Sequence, residues 1–566
     1  NAYASADATS WRNPSGISSR LEYAPRTVSR VRLTPIAVLA CLLVVASSGA
    51  CSLVIRDPFA AVRNPRSPSG ATLSRTQAIA DLEAAFRALE RVHPAPYRFH
   101  SREVVGAERQ RLIDSMPESL STIDLCLRIS RLLATLDDGH TGMRCDQLIS
   151  EEWRRAASAS PPASQTLRVF PPYMILDEQQ RLVVQWPMFV PQLESGDRLL
   201  RVNGQEADAL LAAWSRETSH DTEAGRRASV ARRFRTQLAL RGINAPYRVE
   251  MTGPGGSARE LVIEGEPVNY QFPEWPRPSL DVTSPPATTS TRAVAPPPAR
   301  AKPATPPDEL KTPFFNYRSI APGVGYMDFF STLDGLDTEA RFKDAVDAMF
   351  ARVGSDRPRV LIVDIRQNGG GADAVAGEFL RHITEKPFRL LASTQIKRSA
   401  EARSYFKSMV RIPFRWMGLQ YLSSEPRKYF TGEVGSLAPP DVRPVRSYTR
   451  AEPFFEGPVC VLTGPYTFSA AAEFADAVKT YQLATIVGEE TGGRPNDFGN
   501  QLPFALPNSG LTVNIASVIT VRANGDAADA NAVTPDIVVR RTAADIRSGF
   551  DPALERAKSC PSRSIR

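Results

Sequence analysis

Twice in its C-terminal half the chain passes from a short apolar run through a turn into a helix-forming segment. Val360–Ile365 enters Asn368-Gly369-Gly370-Gly371 and then "ADAVAGEFLRHI"; Val459–Thr463 enters Gly464-Pro465 and the alanine-rich run that begins at Ser469. Gly325–Phe330 and Ala484–Gly488 add further strand-like runs, and Thr338–Val353 reads as an amphipathic helix. Alternation of this kind constrains the fold strongly, because it demands layered βα units. Residues 314–566 therefore read as an α/β core.

Upstream the character changes. Across residues 75–150, Ala78, Ile79, Leu82, Phe86, Leu89 and Val92 recur at helical spacing, and His93-Pro94 closes that helix. Two more helices are expected over Glu103–Met116 and Thr122–Leu136, the last ending in the turn Asp137-Asp138-Gly139-His140. Residues 165–266 carry strand-like runs at Tyr173–Leu176, Leu182–Trp186, Tyr247–Met251 and Glu260–Ile263. The phrase "SGDRLLRVNGQEADALLAAW" within them resembles a PDZ domain; a small β-rich insert without a ligand is the other reading. Residues 272–313, rich in Pro, Ala and Thr, read as a linker with nothing to bury. Residues 394–450 break the βα rhythm and read as a lid, a substrate-binding insertion or a surface excursion.

At 566 residues with a formal charge of +8 the chain is long enough for two or three domains, and its arginines are interspersed. Neither a dense basic block nor zinc-finger spacing points to nucleic acid. The five histidines are scattered, with no metal-site spacing, so no metal or cofactor is expected. Arg26, Arg30 and Arg32 precede an apolar run, Leu33–Ala46, too short to span a bilayer but suited to export. Ser47-Ser48-Gly49-Ala50-Cys51 then resembles a bacterial lipobox. Residues 1–51 are thus expected to be an N-terminal extension with a signal or lipoprotein peptide, Cys51 being the lipidation candidate. Ordinary signal cleavage and an uncleaved anchor are the alternatives. The expected location is the bacterial periplasm or cell envelope. Export permits a disulfide, and Cys126 and Cys145 flank one helical segment; Cys460, inside an apolar strand, reads as a small hydrophobe.

For chemistry, the Gly369-Gly370-Gly371 turn can present bare backbone N–H groups to a developing oxyanion; no phosphate-loop register is present. Ser469 follows a buried-looking strand at a helix start, where the helix dipole favours negative charge. Ala470 N–H could complete an oxyanion hole with Gly370 or Gly371. A serine at a helix start is, however, more often a cap than a nucleophile.

Together "LDDGHT", "GVGYMDFF", "VLIVDIRQNGGG", "VLTGPYTFSAAAEFADAV", "IVGEETGG" and "TPDIVV" resemble, in order, the C-terminal processing or tail-specific serine peptidases, a family that includes the core of the tricorn protease. "HPAPY" resembles the family's N-terminal helical region. The resemblance implies a ClpP/crotonase-like peptidase core, an N-terminal helical region and a β-rich PDZ-like insert. It also implies Ser469 as nucleophile and a protein or peptide as substrate. Many members use a lysine base after the "VGEETGG" strand, but that position holds Arg494, whose guanidinium cannot serve as a base. Lys479, three turns along the serine's own helix, reads as solvated. The tricorn-like branch uses a histidine instead, and "DDGHT" offers His140. The acid that would orient it falls on Asp529, with Asp526 as runner-up, and Glu473 would orient groups around the site. The expectation is an exported serine peptidase; its rival is an apolar-ligand binder on the same fold.

Overall fold

The computed structural model describes residues 72–158, 167–253, 256–267, 309–331, 338–409 and 424–561. Residues 1–51, including Cys51, and most of the 272–313 linker lie outside these. Among the described residues, no helix is long and apolar enough to cross a membrane.

The βα units assemble into a seven-stranded sheet. Strands Val324–Phe329, Val360–Asp364, Val459–Thr463, Thr485–Gly488 and Ile537–Val538 run parallel, and two antiparallel strands extend one edge. Every residue of Val360–Asp364 and Val459–Thr463 is buried, as strands covered on both faces must be. Leu361, Val363 and Val461 face one layer with Phe342, Phe350, Phe379 and Phe474. Ile362, Cys460 and Leu462 face the other, with Ala553 and Ala557 of the Pro552–Lys558 helix. Cys460 is no free hydrophobe, because it forms a disulfide with Cys560 that ties this terminal helix to the sheet. A lone strand cysteine carried no local sign of a partner so far along the chain.

A second, antiparallel sheet orders Asp441–Val442, Leu391–Ile396, Thr512–Arg522 and Phe498–Ala505. The described part of residues 394–450 belongs to this layer. Ile396, Ala402, Tyr429 and Ala438 are buried in one core with Val513, Ile515 and Val518. That core also takes in Leu82, Leu89, Leu125, Ile129 and Leu133, so the N-terminal helices share it. These helices span Arg75–Val92, Arg102–Asp114, Thr122–Ala134 and Cys145–Ser158. The first starts in a capping box made by Ser74 and Gln77, and ends where His93 turns extended before Pro94. Gly142–Met143 pairs with Asn514 and Val513, which threads the turn after His140 into the second sheet. Cys126 and Cys145 are joined, closing the chain around that turn.

Residues 167–267 form a third unit, an antiparallel sheet of strands including Tyr173–Leu176, Leu182–Trp186, Arg198–Val202, Tyr247–Thr252 and Arg259–Ile263. Helices Ala207–Ser215, Glu223–Arg232 and Phe234–Leu240 pack on it around Leu211, Trp214, Val230 and Phe234.

Candidate active site

Ser469 stands at the head of the Ala470–Thr480 helix with φ 54° and ψ −131° and caps nothing. A positive φ in a non-glycine residue is strained, and a serine between strand and helix held this way presents its hydroxyl outward. The surroundings impose the turn. Phe468 N–H donates to Asn368 O at 3.1 Å and Gly493 N–H to Thr467 O at 3.0 Å, while Thr467 Oγ1 donates to Ile365 O at 2.9 Å. Gly370, at φ +92°, lies so close that a Cβ there would sit 2.7 Å from Ser469 Cβ and 2.9 Å from Ala470 N.

His140 Nε2 is 3.0 Å from Ser469 Oγ, across 329 residues of sequence. Its ring stacks on Phe468 at 4.7 Å, the residue preceding the serine. Two anchors fix the loop: His140 N–H donates to Asp138 Oδ1 at 2.7 Å, and Thr141 Oγ1 accepts Ala516 N–H at 3.0 Å.

The acid beside His140 is not the expected one. Asp529 pairs with Arg522 and accepts from Asn531 N–H at 2.9 Å, while its carbonyl takes Asn496 Nδ2 at 2.6 Å. Asp526, the runner-up, caps its own turn through Ala528 N–H at 3.0 Å. Neither approaches the imidazole. Asp497 does, with Oδ2 3.2 Å from His140 Nδ1, and it is 3% exposed. Its Oδ1 accepts Phe498 N–H at 2.6 Å, and its own N–H donates to Thr520 Oγ1 at 3.0 Å. Asp497 lies four residues past "VGEETGG" with no local mark that sets it apart, whereas the family resemblance points to the stretch before the later "PD" strand.

A further acid comes from the 167–267 unit. Asp221 Oδ1 accepts Gly139 N–H at 2.7 Å and Oδ2 accepts Arg494 N–H at 2.9 Å. Next to it, Thr222 Oγ1 donates to Gly492 O at 3.0 Å, and Tyr466 Oη to Ala228 O at 3.0 Å. Burial would pull the His140 imidazole down, yet the carboxylates of Asp497, Asp138 and Asp221 override it and push it up to about 10. Burial, together with Asp497 and Asp138, holds the Asp221 carboxyl well above the usual carboxylate range. His220, buried and near Arg226 and Arg233, is pushed down to about 3 and stays neutral.

The other expected residues fall as follows. Lys479 is ion-paired with Asp536 at 2.6 Å, which turns it away from a base's role. Arg494 donates to Asp137 O at 3.0 Å and lies over the Phe99 ring. Ala470 N–H opens the helix beside Ser469. Gly370 N–H is committed to Asn368 Oδ1 at 2.9 Å, so it is not an oxyanion donor; its contribution is the missing Cβ. Gly371, at φ +148°, follows it in the turn. Among the described residues, Asp138, His140 and Asp497 alone are grouped closely enough to hold a metal ion. Asp138 and His140 are, however, already engaged by His93 and Ser469.

A hydroxyl, an imidazole and a buried carboxylate thus lie in succession, 3.0 and 3.2 Å apart, at the head of a helix flanked by a glycine turn, the set of groups a serine hydrolase employs. Residues 323–539 match the family model of peptidase family S41. That segment carries the peptidase domain of this family, and the match supports a serine-type peptidase of the C-terminal processing kind. No curated protein matches it in sequence. Among solved structures, it is similar to mature CPAF complexed with lactacystin (TM-score 0.57, 19% identity, 86% of this chain and 98% of that one). It is also similar to mature CPAF alone (TM-score 0.57, 18% identity, 86% and 96%). The photosystem II D1 C-terminal processing protease overlaps less well (TM-score 0.35, 17% identity, 85% and 96%).

Proposed function

We propose that the chain is an exported serine peptidase that cleaves protein or peptide substrates through an acyl-enzyme. Ser469 Oγ attacks the scissile carbonyl while His140 Nε2 takes its proton, and the imidazolium returns that proton to the leaving amine. Asp497, its Oδ2 3.2 Å from Nδ1, stabilises the imidazolium by its charge. N–H groups of Ala470 and Gly371 receive the oxyanion, and water on His140 then releases the acyl group. The observation that carries this reading is the line Ser469–His140–Asp497, with contacts of 3.0 and 3.2 Å.

The same reading includes a ClpP/crotonase-like core, a PDZ-like role for residues 167–267, and lipid attachment at Cys51 in the bacterial cell envelope. Two disulfides support an oxidising compartment.

A fluorophosphonate probe tests the chemistry. Wild type should be labelled and should hydrolyse casein; Ser469→Ala and His140→Ala should do neither, and Lys479→Ala should match wild type. Labelling that survives His140→Ala, or is lost in Lys479→Ala, sinks the mechanism.

A further inference from the structure

The "HPAPY" segment is not used by the mechanism above, yet it lies directly behind the catalytic histidine. His93 leaves the Arg75–Val92 helix with its ring 1% exposed. Its Nδ1 accepts Ala95 N–H at 3.1 Å, so the ring proton resides on Nε2. That Nε2–H meets Asp138 Oδ2 at 3.0 Å, and Asp138 is fully buried. The other oxygen of Asp138 accepts the His140 N–H and lies 4.0 Å from His140 Nδ1. One carboxylate is thus clamped between two histidines, one on each oxygen.

His93 reaches the second acid as well. Its ring packs on Phe498 at 4.4 Å, and Phe498 N–H donates to Asp497 Oδ1. From outside, Lys397 Nζ holds the His93 carbonyl at 3.0 Å and the Glu90 carbonyl at 2.7 Å. Around His140, the charged and titratable neighbours are Asp497, Asp138, Asp221 and His220, with Arg98 acting on Asp497.

We infer that His93 is a positioning residue for the proposed peptidase reaction: by donating to Asp138 it holds a second carboxylate, and with it the His140 backbone, behind the general base. The inference rests on the Ser469–His140 reading. A buried carboxylate oxygen that loses its donor must be neutralised or turn away. Asp138 would then no longer add its charge to the field at His140, nor keep the His140 N–H in place. A small displacement of a general base can cost about 100-fold in rate. Burial raises the Asp138 carboxyl, but the hydrogen bond and charge of His93, together with His140 and Thr141, outweigh it and hold the group below the usual range.

The test compares His93→Gln, whose carboxamide can still donate to Asp138, with His93→Leu, which fills the space without a donor. Each is measured by fluorophosphonate labelling rate, casein-peptide kcat and KM, and the pH profile of kcat/KM. His93→Leu should lose about 100-fold in kcat with KM little changed, and its acid limb should move to lower pH. His93→Gln should recover most of the rate and the wild-type limb. A merely structural role would lower melting temperature in both without moving the limb. Equal rates and equal limbs in the two variants overturn the inference while leaving the peptidase reading intact. A wild type that is neither labelled nor hydrolytic removes that reading, and the inference falls with it.

Discussion

Asp497 Oδ2 lies 3.2 Å from His140 Nδ1, while Nε2 of the same ring lies 3.0 Å from Ser469 Oγ. Asp497→Asn should therefore present an amide where an acceptor is needed, favouring the tautomer that cannot deprotonate serine. On the proposed mechanism kcat falls about 10,000-fold with KM little changed. Asp529→Asn loses its pair with Arg522 but should leave kcat as in wild type, with a stability loss of about 1 kcal/mol. Steady-state kinetics on the two variants decide between the acids; a collapse of kcat in Asp529→Asn alone would reverse the assignment.

The pH dependence follows from the charges around the ring. Burial opposes the imidazolium, but Asp497, Asp138 and Asp221 prevail and raise His140 to about 10. Only the neutral ring can accept the serine proton, so kcat/KM should climb with pH, and its acid limb should lie displaced to alkaline pH. Because this folded value exceeds the ordinary 6.5, the group's contribution to stability is complete below about pH 6.5 and is lost as pH rises through about 10. Asp497→Asn removes the largest upward push and should shift the limb toward neutrality in its residual activity. A wild-type limb already at the ordinary histidine value would contradict the electrostatic account.

The contrast between Ser469 and Asp497 shows what could be read beforehand. Val459–Thr463 is buried on both faces, so its apolar run announces a strand, and the serine's place after it follows from chain order. His140 stood out only through the family resemblance of "DDGHT". Asp497 and Asp529 both occupy polar connections rich in Gly, Asn and Asp, and nothing local separates them. What does is sheet register. Phe498–Ala505 pairs with Thr512–Arg522, whose Ala516 N–H also holds Thr141, so both walls of the imidazole site hang on one strand. The Cys460–Cys560 link was hidden for a like reason, since Cys460 has a complete local explanation as a strand hydrophobe and its partner lies 100 residues on. The described part of residues 394–450 looked irregular because its strand joins an antiparallel sheet formed with distant segments.

The Cys126–Cys145 disulfide joins residues 19 apart and encloses the Asp137–Thr141 turn. Closing a loop of this size stabilises a fold by roughly 3 kcal/mol. The double variant Cys126→Ser/Cys145→Ser should lower the melting temperature and, by loosening the turn, slow fluorophosphonate labelling of Ser469. Calorimetry and labelling rate on the same samples check both parts. Unchanged labelling in a destabilised double variant would show that the shared core alone holds the turn.

The last expectation concerns Asp221, through which the 167–267 unit reaches the site. Its two oxygens hold Gly139 N–H at 2.7 Å and Arg494 N–H at 2.9 Å, so one side chain fixes the turns that carry His140 and follow Gly492. Asp221→Ala leaves two buried N–H groups without acceptors, at about 1–3 kcal/mol each. Asp221→Asn keeps one acceptor and faces the other N–H with an amide NH₂. Burial and the neighbouring Asp497 and Asp138 already disfavour charge on Asp221, so the loss of its acidity matters less than the loss of an acceptor. Activity should therefore fall in the order wild type, Asn, Ala, with the alanine variant about 100-fold down in kcat. Amide exchange should quicken at Gly139 and Arg494 together in Asp221→Ala. Protection retained at both amides would mean that the 167–267 unit is a bystander to the catalytic geometry.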